Sequence, residues 1–118
     1  MGLNITVLDR KDLGCVSFSY SGFDRFRNKL ARAAGVLRGR MEGFGGSKAW
    51  ADVDDPLVPL FDHSDCEGEV SPADCARMAP RLRELAAELD EEFHGNQALV
   101  LAVMMHEAAK QGLPLVFS

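Results

Sequence analysis

Between residues 63 and 74 the chain reads His-Ser-Asp-Cys-Glu-Gly-Glu-Val-Ser-Pro-Ala-Asp, so Asp65, Glu67, Glu69 and Asp74 gather around one glycine with Asp62 just ahead of them. Carboxylates and carbonyls set at alternate positions of a tight turn can hold a hard cation such as Ca²⁺, which takes roughly six to eight oxygens at about 2.3–2.6 Å. If Gly68 makes the sharp turn at the sixth place of a twelve-residue loop, Asp65 falls third, Glu67 fifth, Glu69 seventh through its carbonyl, Ser71 ninth and Asp74 twelfth.

This spacing resembles the calcium loop of an EF-hand. Two departures weaken it. His63 stands first, where Asp is expected, and Asp74 is one methylene shorter than the Glu that grips the ion with both oxygens. The preceding Leu60-Phe61-Asp62 resembles the lead-in of many EF-hands and would make Asp62 the first ligand, with the glycine then one residue late. Imidazole suits zinc, copper or nickel better than calcium. His63, Cys66 and Cys75, with Asp65 or Asp62 as a fourth ligand, therefore give a Zn²⁺ alternative, although their spacing matches no zinc motif. The same residues also have a purely structural reading. Ser71-Pro72-Ala73-Asp74 makes a helix start, with Ser71 as cap, Pro72 at the first helical position and Asp74 facing the positive end of the dipole.

The elements that must position this loop follow from periodicity. Residues 3–9 and 15–20 partly alternate and read as two strands of an N-terminal antiparallel hairpin. A helix capped by Ser21 carries Phe23, Phe26, Leu30, Ala33, Ala34 and Leu37 at helical spacing. Residues 37–55 lose periodicity, collect Gly39, Gly43, Gly45 and Gly46, and form a loop or lid; they match neither the P-loop nor the dinucleotide fingerprint. Trp50, the one tryptophan, closes that loop either as a core residue or as the anchor for a protein partner. A short helix begins at Asp54-Asp55-Pro56 and runs through Phe61, and beyond the acidic loop a longer one runs from Ser71 to about Asp90, so 56–90 is an EF-hand-like helix-loop-helix. Pro80 should kink or break the longer helix. Phe93-His94-Gly95-Asn96 reads as a turn before a final helix, Asn96 to Gln111, apolar on most sides as befits an element packed between others. Leu113 to Phe117 reads as an edge strand joining the hairpin. The expected fold class is α+β: a hairpin and a C-terminal edge strand packed on about four helices, in one domain spanning 1–118.

Composition narrows the function. At 118 residues, 47% hydrophobic and 26% charged, the chain has the balance of a globular domain with its own core. No apolar run approaches the eighteen or so residues of a membrane span. Met1-Gly2 with Thr6 fits the loose myristoylation pattern but is better read as strand. Three cysteines without a secretory signal point to a reducing cytoplasm rather than a disulfide framework. The net charge of −5 is uneven: residues 1–50 hold nine Lys and Arg against four Asp and Glu, and residues 51–118 hold four against fourteen. An acidic half disfavours direct nucleic-acid binding and favours cations or basic protein surfaces. Arg25, Arg27, Lys29, Arg32, Arg38 and Arg40 form the one basic cluster, expected on the solvated face of a helix.

Four segments, MGLNI, SYSGFDRFRNKLA, FDHSDCEGEVSPADC and the final PLVF, together resemble a group of small bacterial and phage-borne proteins of uncharacterised activity that carry a mid-chain HSDC-acid-GE loop. The resemblance implies that His63, Ser64, Asp65, Cys66, Gly68 and Glu69 act as one unit, and that a host protein is a natural target. The leading expectation is a non-enzymatic interaction or regulatory protein with a Ca²⁺-shaped acidic loop. One alternative is an acidic inhibitor that fills a nucleic-acid-binding groove of a host defence complex. The other is a small metal-dependent hydrolase, against which stand the missing HExxH motif and the missing Ser-His-Asp order.

Overall fold

In the computed structural model, which describes residues 2–64, 67–89 and 92–118, the elements run β1 (Gly2–Val7), β2 (Cys15–Ser19), α1 (Tyr20–Ala33), α2 (Val58–Phe61), β3 (Gly68–Val70), α3 (Pro72–Ala86), α4 (Glu92–Gln111) and β4 (Leu115–Phe117). The fold is α+β. The four strands form one antiparallel sheet in the order β2-β1-β4-β3. Alternation along β1 and β2 turns Leu3, Ile5, Val7, Val16 and Phe18 inward onto the helices. It leaves the opposite face polar, where Ser17 donates to Asn4 across the β1–β2 pair at 2.7 Å.

The C-terminal strand does join the hairpin, but it is an interior strand rather than an edge. Gly68–Val70 pairs with its far side in the register Gly68↔Phe117, Glu69↔Val116 and Val70↔Leu115. The acidic segment therefore contributes the edge strand on that side. A three-residue strand whose partner lies more than forty residues away leaves no local periodicity to read.

Helix boundaries show which local signals prevail. The cap of α1 is Ser19, whose hydroxyl accepts from the Gly22 amide at 3.0 Å, two residues before the expected Ser21. Ser71 caps α3 as its sequence indicates, accepting from the Asp74 amide at 3.1 Å. Helix α3 continues unbroken through Pro80 and ends at Ala86. Pro80 and Ala76 both lie on its exposed side, so the Ala76 carbonyl that loses an amide partner is available to water. Residues 93–96 are not a turn but the first turns of α4, because burying His94 and Ala98 outweighs the low helix propensity of Gly95.

Helices α3 and α4 make the most extensive interhelical contact. Beneath them, Phe18, Phe23, Phe26 and Phe117 form a run of aromatic contacts against the sheet. Helix α4 is not enclosed on all sides. Leu99, Val100 and Val103 are exposed, and Phe93 is 67% exposed.

Candidate functional site

The acidic segment starts where α2 ends, and a helix C-terminus leaves carbonyl oxygens without amide partners. Here two arginines from the basic half supply the donors. Arg27 Nη1 donates to the Leu60 carbonyl, which also accepts from the His63 amide, at 3.4 Å and, in a shorter contact, to the His63 carbonyl. Arg38 Nε donates to the Phe61 carbonyl at 3.2 Å. Both side chains belong to the interior, each residue being only 3% exposed. Arg27 lies over the Phe23 ring at 4.2 Å and Arg38 over the Phe44 ring at 4.4 Å. Arg38 Nη1 further donates to Asp24 Oδ1 at 3.0 Å and Asn28 Oδ1 at 2.7 Å.

These two residues correct the expectation that the basic cluster is a solvated helix face. Arg25, Arg32 and Arg40 are exposed as expected, whereas Arg27 and Arg38 cap a neighbouring helix from inside the fold. For Arg27 the signal was in the spacing, because it sits four residues after Phe23 and three before Leu30, on the apolar stripe of α1. A guanidinium can occupy such a position when its donors are met and its plane is packed on a ring.

Beyond α2 the chain is pinned by His63. Its ring stacks on Phe117 of β4 with centroids 4.0 Å apart and planes 29° from parallel. Nδ1 lies 2.9 Å from the Ser64 carbonyl and Nε2 3.2 Å from the Glu69 carbonyl. A neutral imidazole has one N–H and donates to one of the two. Gly68 permits the arrangement twice over. Its φ of 107° is a glycine conformation, and a Cβ there would sit 3.1 Å from His63 Cε1.

The predicted metal ligands are thus distributed as follows. Asp62, the residue that ends α2, is exposed. Asp65 and Cys66 lie outside the described residues. Glu67 is exposed, and so is Glu69 on β3, with its carbonyl facing His63. Asp74 is at the start of α3 in an ion pair with Arg77, one turn on. Among the described residues, no three His, Cys, Asp or Glu side chains gather as a metal site. In the calcium register, His63 at the first place is bound to carbonyls and stacked on a ring, and Asp74 at the twelfth is ion-paired. For the zinc alternative, Cys75 is fully buried with its thiol 3.8 Å from the Val70 carbonyl, and burial pushes it up to about 11, so it is held protonated.

Trp50, the expected partner anchor, sits in the core and is 6% exposed. Its indole Nε1 donates to the Glu42 carbonyl at 3.2 Å, and its ring meets Phe44 edge-on at 5.8 Å. A partner could reach that ring only by opening the loop around it. One anchor escaped the sequence reading altogether. Asp55 accepts from Arg81 of α3 at 3.2 and 3.1 Å while its other oxygen accepts from the Leu57 amide at 2.9 Å, which fixes α2 to α3 ahead of the acidic segment.

What the site can do follows from this. Its frame is fixed by buried donors, and its surface consists of exposed carboxylates on a loop and an edge strand. No family model, curated protein or solved structure matches this chain.

Proposed function

We propose that this chain is a non-enzymatic interaction protein that presents the 62–74 segment, through Asp62, Glu67 and Glu69, to a basic surface on a partner protein. The observation that carries the reading is the clamp: two buried arginines hold the carbonyls of residues 60, 61 and 63 while the carboxylates at 62, 67 and 69 are exposed. Preorganising a loop lowers the entropy lost when it binds, and carboxylates in a fixed array select cationic surfaces and speed encounter. The resemblance to phage-borne proteins makes a host protein the first partner to seek. Calcium belongs to this proposal as a competitor or cofactor for the same carboxylates, together with Asp65.

The test is capture from bacterial lysate, comparing wild type with the triple variant Asp62→Lys, Glu67→Lys, Glu69→Lys at low and high ionic strength. The expected result is a partner that the wild type retains at low salt, loses at high salt, and that the variant fails to retain despite an unchanged circular dichroism spectrum. Retention by the folded variant would refute the surface. Calorimetric titration with Ca²⁺ decides the cation's part: saturable heat that Asp65→Ala abolishes gives the ion a structural role, and the absence of heat leaves direct charge recognition.

A further inference from the structure

Arg38 also lines a cavity of about 350 Å³, together with Asp24, Asn28, Arg32, Arg40 and Phe44. We infer that this cavity binds a small molecule through an oxyanion, a phosphate or carboxylate group held by Arg38, Arg32, Arg40 and Asn28. The inference stands apart from the acidic surface, because it concerns the opposite charge and, Arg38 excepted, different residues.

Charge comes first. Three arginines line the cavity against one acidic residue, Asp24, one oxygen of which is already taken by Arg38 Nη1 at 3.0 Å. Arg38 itself is the second observation. Its Nε and Nη1 are occupied by Phe61, Asp24 and Asn28, whereas Nη2 is buried and has no hydrogen-bond partner among the described residues. A buried donor without an acceptor is costly, and guanidinium N–H groups fit the oxygens of phosphate and carboxylate. The group is also fixed in advance, with bonds on two sides and its plane on Phe44.

Arg32 and Arg40 are exposed and free to close over an anion at the rim. Asn28 Nδ2 makes only a long bond to Asp24 Oδ2, 3.4 Å, and retains a second N–H. Phe44 already carries Arg38 over its ring and meets Trp50 edge-on, so the cavity favours a compact charged group over a stacked aromatic ligand. Its volume lies at the small end of ligand sites, which span about 300–1,000 Å³.

The test titrates inorganic phosphate and, separately, acetate at constant ionic strength, following the Arg38 Nε–H and the Asn28 side-chain amide by nitrogen-15 NMR. Saturable shifts with a Kd on the order of 1 mM are expected for at least one anion. Saturation by phosphate alone assigns a phosphate ester, and by acetate alone a carboxylate. The folded double variant Arg32→Gln, Arg40→Gln, which spares the buried Arg38, should weaken binding by about tenfold. Shifts that never saturate, or that saturate equally in the double variant, overturn the inference.

Discussion

Two stretches of this chain, residues 38–53 and the described part of 62–71, are held in place in contrasting ways. The first closes on itself. The Glu42 amide donates to the Lys48 carbonyl at 2.8 Å, the Lys48 amide to that of Arg40 at 3.1 Å and the Gly46 amide to that of Met41 at 3.2 Å, with Met41 and Lys48 forming a bridge and the Trp50 indole bonded inside. The second, among its described residues, makes few bonds of that kind. It is fixed by Arg27, Arg38 and Phe117, all distant in sequence, and by pairing with β4. A loop closed by its own backbone can stand with little outside help, whereas a loop braced from elsewhere is only as rigid as the fold around it. The acidic segment, the proposed contact surface, is of the second kind, and the first stretch lends it Arg38.

That shared arginine is where the contrast is most easily broken. Arg38→Met should cost about 3 kcal/mol in urea unfolding, because it strips a charged donor from the α2 terminus and orphans buried acceptors. It should also loosen both stretches, seen as faster amide exchange at Glu69 and Val70 and at Lys48. A loss under about 1 kcal/mol would mean that solvent caps α2 equally well.

Gly46→Ala should act on the first stretch alone. A Cβ at Gly46 would lie 2.1 Å from the Arg40 carbonyl carbon and oxygen, so the loop must open, at a cost of about 2 kcal/mol. Trp50 fluorescence should report the opening. Exchange at Glu69 and Val70 should hardly change if the second stretch needs only the Arg38 side chain, and a matching change there would join the two into one cooperative unit.

The smallest effect at neutral pH concerns Cys75, beneath the second stretch. Burial raises its thiol from an ordinary value of 9.0 to about 11, so the folded state keeps the proton longer than the unfolded one. Its contribution is fully present below about pH 9 and is lost as pH rises from there through about 11. Cys75→Ala should lower stability by about 1–2 kcal/mol at pH 7 and flatten that alkaline decline. An equally steep decline in the variant would place the titration elsewhere.

What the sequence revealed was local. Ser71-Pro72-Ala73-Asp74 marked the start of α3 because a cap is decided within four residues, and alternation exposed the hairpin. The α+β class followed from these two signals. The order of the sheet did not, since β3 is too short for a pattern and its partner is remote. At the candidate site, the acidic residues and the special glycine were legible, but the groups that hold them were not. Arginine is ordinarily read as surface, and only tertiary packing reveals that Arg27 and Arg38 cap another helix. The polar end of Trp50 could likewise have suited a core or an interface, and the Glu42 carbonyl that decides between them lies across a turn.

The sheet order also carries a consequence for how the molecule is made. Among the described strands, β3 has a single neighbour, and that neighbour is the last strand in the chain. During synthesis the hairpin can pair as soon as it emerges, but β3 must wait for residues 115–117 before it has a strand to pair with. The proposed contact surface is therefore completed only after β4 has been made, so a nascent chain that lacks residues 115–117 does not offer it to partners in finished form.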